Sequence, residues 1–277
     1  MKKTFERMRN IFVVCSLLAL VACEVIPLNE QMIPIEMEQT NRTTLIVEFS
    51  AMACNNCPMA AETAHNLLAM YGENLVVVEM HPASNSLTAA RKPEWDYTCP
   101  ESDQYYLFFG NNTIAPLPNG VVNMTQTDGS YFVDYTSWGA VYNQYSKQGS
   151  HIALTHSVLL DSTNNAIQIQ ASIQNNWFEA DSLQYIAWLT EDSIVGPQMM
   201  PNGKVDQKYV HNHLLRDAIT DLWGMPIEVN AEDATNVSFT YTLPEKVVAK
   251  NCNIVGIVMK NGEAIQVNEY KLNNIIK

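Results

Sequence analysis

Two cysteines separated by two residues, in Cys54-Asn55-Asn56-Cys57, are the strongest chemical feature of the sequence. This spacing suits either a redox-active disulfide or one half of a zinc site. A zinc site would need a second C-x-x-C or a Cys/His cluster, and none follows in the sequence. The pattern therefore favours thiol–disulfide exchange, in which Cys54 attacks a substrate disulfide and Cys57 resolves the mixed disulfide.

The surrounding sequence predicts a strand, a helix and a second strand. Residues 44–51 and 75–80 are apolar and rich in β-branched residues, as in buried strands. Between them, Pro58 suits the first turn of a helix and Gly72 suits its end. The cysteine pair is then expected at the helix N-terminus. Unpaired backbone N–H groups there stabilise a thiolate.

This segment resembles the thioredoxin superfamily through Val47-Glu48-Phe49, the C-x-x-C pair and Leu117-Pro118-Asn119-Gly120. The resemblance implies that Glu48 is the buried acid that relays protons to the resolving cysteine. It also implies that Pro118 is the cis-proline facing the disulfide, with Pro116 as the alternative. Where the family usually has an aromatic residue before the first cysteine, this sequence has Ala53. Where the family has Gly-Pro between the cysteines, this sequence has Asn55-Asn56. The redox direction therefore stays open.

The first 22 residues predict an export signal. Basic residues precede an apolar run at 11–22, which is shorter than the roughly 20 residues of a membrane-spanning helix. Leu20-Val21-Ala22-Cys23 resembles the lipobox of bacterial lipoproteins. The resemblance implies that Cys23 carries lipid and anchors the chain in the bilayer, whereas an ordinary secretory signal is the alternative. Residues 23–42 are expected to form a lipidated, polar tether.

The spacing of the apolar residues changes from helical to strand-like after residue 150. Apolar Ile167, Ile169, Ala171 and Ile173 alternate with polar residues, which is typical of half-buried antiparallel strands. About six such strands predict a β-sandwich over residues 151–277. With a thioredoxin-like domain at 43–148, the predicted fold class is α/β plus all-β, a thioredoxin-like domain followed by an antiparallel β-sandwich.

Two pairs of residues leave alternatives open. His211 and His213 could begin a metal site on one side of a strand, but no third ligand is evident nearby in sequence. A structural role is therefore favoured, and no metal ligand or cofactor is assigned. Cys99 and Cys252 either form a structural disulfide that joins the two domains or are two separate buried thiols.

The formal net charge of -13, without a basic stripe, argues against nucleic-acid binding. The lipobox, the thioredoxin-like half and the β-rich half with residues 211–217 resemble the family named for a 28-kilodalton outer-membrane protein of Gram-negative anaerobes. The resemblance implies an outer-membrane location, on the periplasmic or the surface face. Two functions follow as hypotheses. One is thiol–disulfide exchange on envelope proteins, and the other is a non-enzymatic adhesin or binding protein that uses the β-sandwich to hold a surface ligand.

Overall fold

Strands dominate the fold in the computed structural model, which describes residues 40–90, 92–161, 163–177 and 180–272. The helices are α1 (Cys57–Tyr71), α2 (Pro100–Phe109) and α3 (Trp138–Tyr145). The strands are β1 (Thr40–Asn41), β2 (Thr44–Phe49), β3 (Leu75–Met80), β4 (Asn119–Val122), β5 (Gly149–Ser150), β6 (Ile152–Asp161), β7 (Ala166–Asn175), β8 (Asp181–Glu191), β9 (Ile194–Met199), β10 (Val205–His211), β11 (Leu214–Ala218), β12 (Met225–Val229), β13 (Ala234–Thr242), β14 (Cys252–Lys260) and β15 (Glu263–Lys271). In the described ranges, the helices are too short or too polar to span a bilayer.

Strands β2 and β3, connected by helix α1, form the unit that carries the cysteine pair. Both strands are buried along their whole length and run parallel, with Glu48 opposite Glu79. Helix α1 contains Pro58 in its first turn and is followed by Gly72, whose φ of 55° favours glycine. The predicted strand, helix and strand are confirmed. Strand β4 pairs antiparallel with the other edge of β2.

One large sheet runs through both halves of the chain. Its strand order is β15-β14-β8-β11-β3-β2-β4, and β12 also pairs with β8. Val47 and Val78 pack in the same hydrophobic cluster as Trp188 and Val255. The described parts of the segments predicted as consecutive domains, 43–148 and 151–277, therefore share a sheet and a core.

A second layer consists of the three-stranded sheet β13-β7-β6. Its inward side chains, including Leu154 and Ile173, pack against Tyr185 and Val258 of the large sheet. The alternating pattern thus correctly predicted an antiparallel layer that buries one face. Strands β9 to β12 were not predicted. For β10 the reason is that the strand is polar and largely exposed and so shows no apolar alternation.

The ordered fold begins before the predicted boundary at residue 43. Strand β1 pairs with β5, and Arg42 is buried. The Arg42 guanidinium donates hydrogen bonds to Gln148 Oε1 at 2.8 Å, to Glu263 Oε1 at 2.5 Å and to the carbonyl of Ala264 at 2.7 Å. The last residues of the predicted tether are therefore part of the fold. The rest of the tether and the signal lie outside the described residues.

Replacing Arg42 by Met should lower the free energy of unfolding by about 2 kcal/mol, because buried acceptors lose their donor. Because Glu263 is partly exposed, its ion pair with Arg42 contributes only a small part of this free energy. Chemical denaturation of the chain without its first 23 residues measures the change. Lys92→Met, at an exposed ion pair with Glu94, is the matched control and should change stability by less than about 0.5 kcal/mol. Equal effects of the two substitutions would contradict the role of Arg42.

Candidate functional site

The Cys54–Cys57 pair forms a disulfide at the start of helix α1, and the two Cα atoms are 5.5 Å apart. The backbone N–H of Cys57 donates to Sγ of Cys54 at 3.2 Å. This donor and the positive end of the helix dipole would favour a thiolate at Cys54 after reduction. The disulfide is therefore placed where thiol–disulfide exchange is chemically feasible.

The loop before strand β4 lies against the disulfide. Leu117 packs onto Cys54 and Cys57, and the Leu117–Pro118 peptide bond is cis. The cis bond predicted at Pro118 is confirmed, and the alternative at Pro116 is wrong. Cys54 and Cys57 are only 3% and 1% exposed. Both cysteines are therefore almost fully covered in this conformation.

The hairpin formed by β9 and β10 covers another side of the disulfide loop. Nε2 of the buried Gln198 donates to the carbonyls of Ala51 at 3.2 Å and Cys54 at 3.0 Å. The backbone N–H of Met199 donates to the carbonyl of Met52 at 2.8 Å. These bonds fasten the hairpin to the residues just before the first cysteine. A cleft of about 210 Å³ lies beside them, lined mainly by apolar groups of Met52, Trp95, Pro197, Met199 and Val205.

Glu48 lies on strand β2, beneath the start of helix α1. It is 2% exposed, and its Oε1 has no hydrogen-bond partner among the described residues. Burial, together with the negative charge of Glu79 on the neighbouring strand, raises the pKa of Glu48 well above its usual value. Glu48 and Pro58, the residue after Cys57, line one cavity of about 400 Å³. The structure thus places this buried acid on the same side of the sheet as the cysteine-bearing end of helix α1.

A second buried cluster contains Glu79, His81 and His211. Oε1 of Glu79 lies 2.7 Å from Nε2 of His81. Burial raises the pKa of Glu79, but the hydrogen bond and charge of His81, aided by His211 and Ser50, outweigh burial and bring this pKa down to about 2. Burial lowers the pKa of His211 to about 4. Glu79 is therefore a carboxylate and His211 a neutral imidazole at neutral pH.

The pairing of His211 with His213, considered from sequence, is wrong. His211 ends strand β10 and is 1% exposed, whereas His213 adopts a left-handed backbone with φ of 58°. Nδ1 of His213 lies 3.2 Å from Oδ1 of Asp192. Sequence reasoning missed Glu79 and His81, which lie close to the His211 ring. They are two residues apart at the end of β3, and in an extended chain this spacing places both side chains on one face, which was the available indication.

Cys99 and Cys252 are both free thiols, so the disulfide considered between them is not formed. They pack in different hydrophobic clusters, and Sγ of Cys99 lies 3.0 Å from Oγ of Ser102. Burial raises the pKa of Cys99 to about 11 and that of Cys252 to about 12. Both thiols are therefore poor nucleophiles at neutral pH. Cys23, the predicted lipidation site, lies outside the described residues.

Comparison with known proteins gives one family match. The family model described as outer membrane protein Omp28 matches residues 102–275. No curated protein matches the sequence. A domain of the outer membrane lipoprotein Omp28 from Porphyromonas gingivalis is 21% identical, with 44% of this chain and 88% of that chain covered and a TM-score of 0.31.

Two solved structures resemble most of the chain in fold. HBP35 of Porphyromonas gingivalis has a TM-score of 0.66 and 14% identity, covering 84% of this chain and 76% of that chain. A structural-genomics protein from Agrobacterium tumefaciens has a TM-score of 0.50 and 14% identity, covering 85% of this chain and 96% of that chain. At such identities the likeness concerns the fold alone.

Replacing Gln198 by Ala should speed the reduction of the Cys54–Cys57 disulfide by about 10-fold. The substitution removes the hydrogen bonds that hold the hairpin to the disulfide loop, together worth roughly 1–2 kcal/mol. Mass spectrometry after timed exposure to dithiothreitol and alkylation follows the reaction. Gln184→Ala, at an exposed position of β8 that does not line the cleft, is the matched control and should react at the wild-type rate. An unchanged rate for Gln198→Ala would show that the hairpin does not limit access.

Proposed function

The chain belongs to the Omp28 family of outer membrane proteins, and we propose that it exchanges disulfides with other envelope proteins through Cys54 and Cys57. Family membership places it in the cell envelope, at the outer membrane. The proposal adds that Cys23 is acylated and holds the chain at the bilayer. It also assigns the residues around β2, α1, β3 and β4 to a thioredoxin-like unit within the larger sheet.

The observation that carries the proposal is a disulfide at a helix N-terminus, with a buried acid below it and the Leu117–Pro118 loop against it. In the reduced chain, the Cys54 thiolate attacks a substrate disulfide and forms a mixed disulfide, while the other substrate sulfur leaves as a thiolate. Cys57 then loses its proton and attacks Cys54, which releases the second substrate sulfur. The substrate gains two electrons and the chain becomes oxidised. A dithiol is needed to reduce the chain again, and the reverse sequence oxidises a substrate dithiol.

The buried sulfurs require an opening step before exchange. The hairpin of β9 and β10 is held at the disulfide by Gln198 and Met199, so its displacement would expose Cys54. The adjoining apolar cleft suits the side chains of an extended substrate segment, since binding there would bury apolar surface. These features support an envelope protein, rather than a small thiol, as the substrate.

The same burial supports a second candidate function. A disulfide whose cysteines are 3% and 1% exposed can serve purely as a structural link. The three-stranded layer of β6, β7 and β13 would then be the part that binds a protein or glycan at the cell surface. The two candidates differ in whether Cys54 forms mixed disulfides with other proteins.

Replacing Cys57 by Ser should trap mixed disulfides between Cys54 and envelope proteins, because the resolving thiol is gone. Expression of this variant in the native envelope, acid quenching and non-reducing electrophoresis should show adducts that disappear on reduction. Cys54→Ser lacks the attacking sulfur and should form about 10-fold fewer adducts.

Cys252→Ser is the control for a thiol outside the pair and should show no adducts. The structural candidate would be favoured if the Cys57→Ser and Cys54→Ser variants formed equally few adducts while both remained folded.

Replacing Glu48 by Gln should slow resolution of the mixed disulfide by roughly 10-fold or more, because the amide has no ionised form, and the ionised carboxylate is the form of Glu48 that accepts the Cys57 proton. The amide has nearly the same shape as the protonated acid, so stability should not fall. Stopped-flow fluorescence of the reaction with a protein disulfide measures the rate, and thermal melting measures stability. Glu73→Gln, at an exposed position, is the control. A normal rate in Glu48→Gln would remove the acid from the mechanism.

A further inference from the structure

The cluster of Glu79, His81 and His211 joins two elements that are distant in the sequence. Glu79 is the second-last residue of β3, and His81 directly follows that strand. His211 is the last residue of β10. One potential ligand atom from each residue lies within 4.8 Å of the others. All three residues are less than one-tenth exposed, with His81 and His211 at 0% and 1%.

Both histidines have unused hydrogen-bonding capacity. In the part of the chain that the structure describes, Nδ1 of His81 and both ring nitrogens of His211 have no hydrogen-bond partner. The backbone of Pro197 lies near the His211 ring and raises its pKa. Neither ring nitrogen, however, has hydrogen-bond geometry with it. Buried imidazole nitrogens are normally paired, because an unpaired polar group loses its water without compensation. A group outside the described residues is therefore expected to satisfy them.

We propose that Glu79, His81 and His211 form a binding site for a divalent transition-metal cation. Two imidazoles and one carboxylate are a donor set used for Zn²⁺ and Fe²⁺, whereas Ca²⁺ and Mg²⁺ prefer oxygen ligands alone. The proposal is independent of the disulfide chemistry.

The observed distances allow the site with a modest rearrangement. Ligand atoms in a tetrahedral site with bonds of roughly 2.0–2.2 Å lie about 3.4 Å apart. The present spread of up to 4.8 Å must therefore contract, while the 2.7 Å contact between Glu79 and His81 must lengthen. Binding would therefore require rotation of the Glu79 and His211 side chains. A bound ion would replace this hydrogen bond and connect β3 to the hairpin of β9 and β10.

The surroundings provide a shell and an entry path. The His211 ring lies between Tyr97 and Tyr209, with ring centroids at 4.8 Å and 4.9 Å. Such packing restricts the orientation of the imidazole. Glu79 also forms part of the wall of the 400 Å³ cavity, together with Tyr209 and His213. A hydrated cation can reach the carboxylate through this cavity, and water can occupy the remaining coordination position.

The test measures Zn²⁺ binding by isothermal titration calorimetry on the whole mature chain, with Cys54 and Cys57 oxidised and the metal first removed by a chelator. We expect one Zn²⁺ per chain with a dissociation constant of about 1 µM or lower. His81→Gln and His211→Gln should each weaken binding by at least about 100-fold. His213→Gln is the matched control, since it lines the same cavity outside the cluster, and should stay within about 3-fold of wild type.

A second measurement on the unaltered chain guards against variants that fail to fold. X-ray absorption of the Zn²⁺-loaded protein should show two imidazole nitrogens among the ligands. Three results would each overturn the site. They are no Zn²⁺ binding by the wild type, equal affinity in folded His211→Gln and wild type, and an absorption spectrum without imidazole.

Discussion

The pairing of strand β3 with β11 determines how the two halves of the chain are arranged. The backbone N–H of Glu79 donates to the carbonyl of His213 at 2.8 Å, and Leu214 lies opposite Glu79 in parallel register. This joint extends the β2–β3–β4 unit into an eight-stranded sheet. Because the hairpin of β9 and β10 precedes β11 directly, the same joint brings Gln198 over the disulfide and His211 beside Glu79. The cover of the redox pair and the proposed metal site therefore depend on one local pairing.

The pKa values of two buried acids on neighbouring strands are shifted in opposite directions, and the difference follows from their neighbours. Glu79 has the imidazole of His81 at 2.7 Å and is stabilised as an anion. Glu48 is buried, its Oε1 has no hydrogen-bond partner among the described residues, and the charge of Glu79 lies next to it, so its pKa is raised. A buried acid with a raised pKa is a stronger base when ionised and can exchange a proton with a thiol, whereas a paired carboxylate can bind a cation. One strand pair thus supports two different chemical roles.

Local patterns in the sequence were sufficient for much of this fold and for the cysteine pair. The apolar runs of β2 and β3, with Pro58 and Gly72 at the helix ends, predicted the unit around the cysteines. The resemblance to thioredoxins added Glu48 and the cis bond at Pro118. The joint between β3 and β11 was not predictable, because β11 is short and its pairing is non-local. For the same reason, His211 was first considered with its sequence neighbour His213 rather than with Glu79 and His81.

The central claim is that Cys54 and Cys57 exchange disulfides with protein substrates. The most direct measurement is the rate at which the fully reduced mature chain reduces a protein disulfide such as those of insulin, compared with dithiothreitol at equal dithiol concentration and pH. The account predicts a rate at least about 10-fold above that of dithiothreitol, since the helix N-terminus stabilises the Cys54 thiolate. A rate no higher than that of dithiothreitol would contradict it and leave the pair as a structural disulfide.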